Sequence, residues 1–287
     1  MKVTEIAPNT TSLTSQIAAF AVDSLLEELN LTPKPGLVDQ ANSGCHLDLN
    51  MELMTASAKS LYSSFHYMAL AAQEKKPSQS LREQLAAIGR LGEQEMLMAT
   101  GNVNTHKGAI WCIGLLTAAV VGHAQSGKEF TVGDILDTAG MIASFDDRYA
   151  PPNNTNGDRV RHRYAVVSAR EEAMMGFPSL KNTAIPAWVK YAREHEDIRQ
   201  LNVLLSLMAV VDDTCILHRS DIHVAKMIKK RCCMIMDSGG LGRVNNWPYF
   251  RELEKYITKH WVSPGGSADL LAATIFIHKI TKHFKIN

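Results

Sequence analysis

The sequence predicts an all-α protein in a single domain, and three observations carry that expectation. Apolar residues recur at helical spacing through most of the 287 residues. Strict apolar–polar alternation is scarce, with Tyr164–Val167 the one weak strand candidate. No composition break or long Pro/Ser linker divides the chain, which is long enough to bury a substantial core.

The elements follow in order. Ile17, Phe20, Ala21, Leu25 and Leu29 share one helical stripe, and Leu53, Ala58, Leu61, Phe65, Met68 and Ala72 form a second. Leu81, Leu85, Ile88, Gly92, Met96 and Ala99 repeat the pattern. Segments 108–124, 131–145, 184–195, 200–217, 222–236, 247–260 and 267–283 also read as helix, giving about ten helices in all. Ala109–Val121 and Leu201–Leu217 are apolar nearly all round, which predicts that they lie in the middle of the bundle. Asp146–Arg163 carries Pro-Pro, Asn-Asn and Asn-Gly steps and is expected to stay irregular.

Composition excludes several classes of function. The 30 Lys and Arg balance 29 Asp and Glu, without the basic excess that nucleic acid or an anionic membrane demands. Five cysteines leave one unpaired in any disulfide scheme, and Cys232–Cys233 are adjacent, which is not zinc spacing. The opening MKVTEIAPNTTS has no apolar signal core, so a reduced cytoplasm is the expected compartment. The apolar run Gly108–Gly122 falls short of the ~20 residues of a membrane span and reads as a buried helix.

Three polar, Gly- or Pro-marked stretches sit among the helical runs: TPKPGLVD (32–39), TGNVNTHKG (100–108) and SPGGSADLL (263–271). The last two immediately precede apolar runs, where helix N-termini offer free N–H groups to an anion. Together they suggest a site for a phosphate-rich small molecule. Gly101–Gly108 is not a Walker loop, because His106 stands at the second Gly position and Gly108 at the Ser/Thr position. It still places Asn102, Asn104, Thr105, His106 and Lys107 at a helix entry.

Asp212 and Asp213 end the apolar run Leu201–Val211 and need a partner, either a salt bridge with Arg219 or His218 or a metal. Glu93 and Glu95, like Glu171 and Glu172, are acidic pairs of the kind that most often form a solvated face. Asp39 and Asp48 flank the polar turn 42–46. Asp269 reads as a complement to the dipole of the last helix, with Ser267 as its N-cap. No HExxH or GxSxG occurs, and His218 and His223 are wrongly spaced for zinc. The carboxylates favour a hard cation such as Mg²⁺.

Taken together, TPKPGLVD, NSGCH (42–46), GEQEM (92–96), TGNVNTHKGAIW (100–111), TNG (155–157), AREEAMMGFP (169–178), DDT (212–214) with Arg219, and SPGGSADLL resemble the triphosphoribosyl-dephospho-CoA synthase family. The resemblance runs nearly end to end. It implies an all-helical transferase that joins ATP to 3′-dephospho-CoA with release of adenine, forming the prosthetic-group precursor of citrate lyase or malonate decarboxylase. It further implies Mg²⁺, a downstream holo-carrier-protein synthase as partner, and a homodimer as the candidate assembly. Nucleic acid and membrane are not expected partners.

On that resemblance, Asp39 or His106 is the candidate base, with Glu172 a third catalytic candidate, and the acid that protonates adenine is not identified. Lys34, Asn104, Thr105, Lys107, Arg170, Arg219, Gly265, Gly266 and Ser267 are the candidate ATP and phosphate ligands. Glu93, Glu172 and Asp213 are the candidate metal ligands. There are three departures from the family pattern: Glu171 and the pair Ser220-Asp221 stand where glycines are usual, and Asn102 replaces a Gly. Asn tolerates the left-handed backbone conformation better than most residues. Glu171 and Asp221 motivate the alternative, a non-catalytic phosphate-ligand binding or regulatory protein on the same scaffold.

Overall fold

The computed structural model describes residues 12–151 and 156–286, apart from the side chains of Asn156 and Asp158. The N-terminal segment read for a signal peptide lies outside these residues except for Ser12, as does Thr155 of the TNG motif. The described residues form helices and connecting loops, with no strand, so Tyr164–Val167 is not one.

Helix α1 (Leu13–Asn30) starts at Ser12, whose hydroxyl accepts the Ser15 N–H, and leads into the irregular stretch 31–50. The stripe from Leu53 to Ala72 is two helices, α2 (Met51–Ser60) and α3 (Tyr62–Ala71), broken at the buried Leu61. Helix α4 (Gln79–Thr100) ends on Gly101 at φ 66° and Asn102 at φ 71°. The left-handed conformation that Asn tolerates is therefore the one Asn102 adopts. Helices α5 (Lys107–Ala124) and α6 (Val132–Ser144) follow, the latter opened by a Thr131–Asp134 capping box.

Residues 156–164 depart from the expected irregular loop by forming helix α7 (Asn156–Tyr164). The Asn156-Gly157 step opens the helix rather than breaking it, and the Arg, Val, His and Tyr that follow are compatible with helix. Val160 is buried and α7 packs on α11 (Thr214–Arg219), which supplies the tertiary support a short helix needs. Helix α8 (Ala169–Met174) comes next, then a π-helical turn at Leu180–Ala184 and α9 (Ile185–Lys190), shorter than the sequence pattern suggested.

The expected helix over 200–217 is also broken. Helix α10 (Glu196–Val210) stops at Val211, and Asp213 opens α11 by accepting the Cys215 and Ile216 N–H groups. An Asp that can bond the backbone ahead of it competes with helix continuation. Helices α12 (Ile222–Asp237), α13 (Trp247–His260) and α14 (Gly265–Phe284) complete the chain.

Helix α5 packs against α1, α3, α4, α6 and α14, and buries every residue from Ala109 to Val121 except Trp111. At 18 residues it passes the length and hydropathy test for a membrane span that the shorter run 108–122 was expected to fail, yet two thirds of it lies inside the fold. Helix α14 packs against α1, α5 and α10. Burial of these apolar side chains, each contributing about 1.5–3 kcal/mol, drives assembly of the bundle.

Candidate active site

Helices α5 and α14 begin without a side-chain cap of their own. The residues preceding α5 and α14, His106 and Pro264, make no capping bond. Unpaired N–H groups at an enclosed helix end are costly, and residues distant in sequence satisfy some of them. Asp213 Oδ2 accepts both the N–H of Ser267 at 2.8 Å and its hydroxyl at 3.0 Å, while Oδ1 caps α11. Asp269, one turn into α14, lays its carboxyl against Gly108 and beside the Ala109 N–H in the first turn of α5. The N-terminal ends of α5, α11 and α14 are thereby tied together by two aspartates.

A cavity of about 260 Å³ opens beside this knot. Gly108, Trp111 and Cys112 of α5 form one wall, and Glu172 with Ser168, which caps α8, forms another. Val210–Thr214, Gly266 and Asp269 close it. Four helix N-termini thus face one cleft, where their dipoles favour negative charge. Trp111, Met175 and Val210 supply an apolar side, with the Trp111 indole N–H held by the Ala169 carbonyl.

The carboxyl groups of the cleft are perturbed by enclosure. Burial raises Glu172 above the ordinary glutamate range, against the lowering effect of the Ser179 N–H, which it accepts at 2.7 Å. Burial also raises Asp213, opposed by its bonds to Ser267. Asp269 is pushed well above the usual carboxylate range, by enclosure first and then by the charges of Glu28 and Asp213.

The expected metal ligands are not assembled as a centre. Glu93 bonds Lys107 at 2.8 Å and does not line the cleft, and both Asp213 oxygens are committed to backbone and hydroxyl donors. Glu172 and Asp213 line the cleft with Asp269 and Asp212, and Asp212 pairs with Lys229 at 2.5 Å. Among the described residues no group of three His, Cys, Asp or Glu is placed to hold a metal ion. The salt bridge considered for Asp213 is likewise not formed.

Asp39 is a loop tie. Its carboxylate accepts the N–H groups of Lys34, Ala41 and Asn42, which commits the lone pairs that a base would need. The Lys34 ammonium is buried in a 2.7 Å ion pair with Glu28, away from the cleft lining. His106 is buried, with Nδ1 2.7 Å from the Ser57 hydroxyl, which also bonds Thr105; burial and the charge of Lys34 hold the imidazole down to about 4. It is therefore neutral at pH 7.

Lys107 and Arg170 stand in the first turns of α5 and α8, beside the cleft residues Gly108 and Ala169, and both are half-exposed. Asn104 is exposed just ahead of them. Gly265 and Gly266 open α14, and Ser267 is buried against Asp213 rather than capping the helix. Arg219 lies at the far end of α11 from Asp213, bonding the Cys45 carbonyl and His46 in a separate shallow bowl with His218 and Trp261. Sequence reasoning gave little weight to Asp269 and did not single out Ser57 or Trp111. Asp269 follows a Gly-Gly helix entry and precedes the run Leu270–Ile277, apolar but for Thr274, which is the one signal the sequence offers.

The three departures from the family pattern have structural roles. Glu171 completes a capping box with Ser168, whose bonds lower its carboxyl, and pairs with Arg161. Asp221 caps α12 through the His223 and Val224 N–H groups, and the Ser220 hydroxyl bonds the Ile216 carbonyl. These charges are spent on helix ends, which removes the motive for reading the chain as a non-catalytic binder.

Residues 14–287 match the family model described as ATP:dephospho-CoA triphosphoribosyl transferase. A protein of Stutzerimonas stutzeri named as a probable 2-(5''-triphosphoribosyl)-3'-dephosphocoenzyme-A synthase is 41% identical over 280 residues, covering 96% of this chain and 95% of that one. The Klebsiella pneumoniae protein named 2-(5''-triphosphoribosyl)-3'-dephosphocoenzyme-A synthase is 38% identical over 272 residues, covering 94% and 96% respectively. No solved structure matches.

Proposed function

The chain belongs to the ATP:dephospho-CoA triphosphoribosyl transferase family, and we propose that the cleft between α5, α8, α11 and α14 is where it carries out that transfer. The enzyme moves the triphosphoribosyl group of ATP onto 3′-dephospho-CoA, and adenine is what remains of ATP once that group has left. The observation that carries the location is the convergence of four helix N-termini on one cavity that also holds an apolar wall and enclosed carboxyl groups.

Each half of the cleft suits part of ATP. The triphosphate lies at the mouth, where helix dipoles, Lys107 and Arg170 supply positive charge. The purine and ribose lie against Trp111, Met175 and Val210, placing C1′ among the carboxyl groups. Breaking the C1′–N9 bond leaves an oxocarbenium-like centre, which nearby carboxylates stabilise. Glu172, made more basic by its enclosure, takes the proton of the attacking ribose hydroxyl. His106, neutral and bonded to Ser57, fixes the 101–108 loop rather than removing that proton.

Mg²⁺ would accompany ATP as the counter-ion of its triphosphate and would neutralise charge there, since no group of three ligating side chains among the described residues forms a centre of its own. The five cysteines are unpaired, as a reducing compartment keeps them, and we place the enzyme in the cytoplasm. Its product passes to a holo-carrier-protein synthase.

The test is one incubation of the purified chain with ATP, Mg²⁺ and dephospho-CoA, followed by chromatography and mass spectrometry. Free adenine is expected to appear in equal amount with a triphosphoribosylated dephospho-CoA. Binding of both substrates without adenine release would overturn the reading.

A further inference from the structure

We propose that Asp269 is the catalytic acid of this transfer, delivering a proton to N7 of adenine as the glycosidic bond breaks. The inference rests on the assignment of the transfer to this cleft and supplies a role left open by it.

Placement is the first argument. Asp269 lines the cleft alongside Trp111, Val210 and Glu172, the walls between which the purine is placed. Its carboxyl packs against the first turn of α5: it lies beside the Ala109 N–H, and Oδ2 sits against Gly108, 2.0 Å from where a side-chain carbon would be. A group that must meet a departing base benefits from such pre-positioning.

The second argument separates it from its neighbours. Asp213 spends its oxygens on Cys215, Ile216 and Ser267, and Asp39 on three backbone N–H groups. Both are tied as acceptors of protein donors and carry no proton to give. Asp269 faces Glu28 of α1, itself paired with Lys34, and the like charge of Asp213 ahead of α11, with the thiols of Cys112 and Cys215 on its other sides and Glu172 across the cleft. Enclosure and these charges favour its protonated form, and burial likewise keeps the Cys112 thiol neutral. A carboxylic acid kept protonated near neutral pH is what departure of adenine requires.

The step balances. The C1′–N9 electron pair stays on N9 while N7 takes the proton from Asp269, and neutral adenine leaves. The ribose hydroxyl oxygen of dephospho-CoA bonds C1′ and gives its proton to Glu172. Exchange with solvent then restores Asp269 to the acid and Glu172 to the carboxylate.

The experiment compares ATP with 7-methyl-ATP, whose purine is already cationic at N7 and needs no donated proton. Asp269→Asn is expected to lower kcat on ATP by roughly 10²–10⁴-fold while keeping kcat on 7-methyl-ATP within about threefold of the unsubstituted enzyme. Equal losses on both substrates would overturn the assignment, since a merely structural defect does not distinguish them. If Asp269→Asn fails to fold, the pH profile of the unsubstituted enzyme decides. The fall of kcat at high pH should be present with ATP and absent with 7-methyl-ATP, and a fall with both overturns the proposal. An unsubstituted enzyme that releases no adenine from ATP at any pH would overturn the transfer reading itself, and this assignment with it.

Discussion

Asp269 on α14 occupies the space that a side chain at Gly108 on α5 would need: its Oδ2 lies 2.0 Å from the position of an added Cβ. The contact locks the two helix entries together across the cleft and makes glycine at 108 a requirement of close approach rather than of backbone conformation.

Gly108→Ala is therefore expected to displace the Asp269 carboxyl and lower turnover at least tenfold, with overpacking costing about 1–3 kcal/mol of stability. Steady-state kinetics and urea unfolding check both parts. Adding Asp269→Ala should restore the lost stability, because the clash is removed, without restoring turnover.

Lys34→Met should destabilise the fold by about 3–5 kcal/mol, since it leaves Glu28 enclosed without its cation. Pairing it with Glu28→Gln should recover much of that loss in chemical denaturation. At a temperature where Lys34→Met is folded, its KM for ATP should match that of the unsubstituted enzyme, as expected of a residue outside the cleft.

Lys107→Ala should weaken ATP binding by about 1.5–3 kcal/mol, the value of one charge-assisted contact, and leave dephospho-CoA binding intact. Its present partner Glu93 is 2.8 Å away on the half-exposed face, so the ammonium is available to exchange that carboxylate for phosphate. Calorimetric titration with each substrate separates the two.

Acid sensitivity should trace to His106, held down to about 4 in the fold against 6.5 ordinarily. A depressed pKa means the native state binds fewer protons than the unfolded chain. Its contribution is present in full above pH 6.5 and is lost as pH falls toward 4, amounting to about 3 kcal/mol for a shift of this size. His46 is lowered to about 4 by burial and the charge of Arg219 and acts in the same direction. Urea unfolding between pH 7.5 and 4.5 should show the decline, and His106→Gln should flatten it.

Much of the fold is legible because helical burial is a local pattern. The Ile17–Leu29 stripe becomes the buried face of α1, and the run after Gly108 becomes α5. The failures have local causes that a periodicity count does not weigh. At Asp213 a backbone-bonding side chain stops one helix and starts another, and packing of α7 on α11, with Val160 buried, stabilises a helix in a polar segment.

The site is less legible because its logic lies between distant residues. Nothing near Asp269 in sequence indicates that it meets Ala109, and nothing near Asp213 indicates that it holds Ser267. Both therefore invited readings drawn from their own helix or from metal chemistry. Lys34 and Asp39 carry the residue types of a phosphate site and a base, yet the fold spends one on Glu28 and the other on backbone N–H groups.

The claim that this cleft is the nucleotide site is tested most directly by photolabelling with 8-azido-ATP and identifying the modified peptides by mass spectrometry. Labels are expected on the cleft walls around Trp111, Met175 and Val210, and should be lost when ATP is added in excess. ATP-protected labels confined to the bowl of His46, His218 and Trp261, with the cleft walls unmodified, would contradict it.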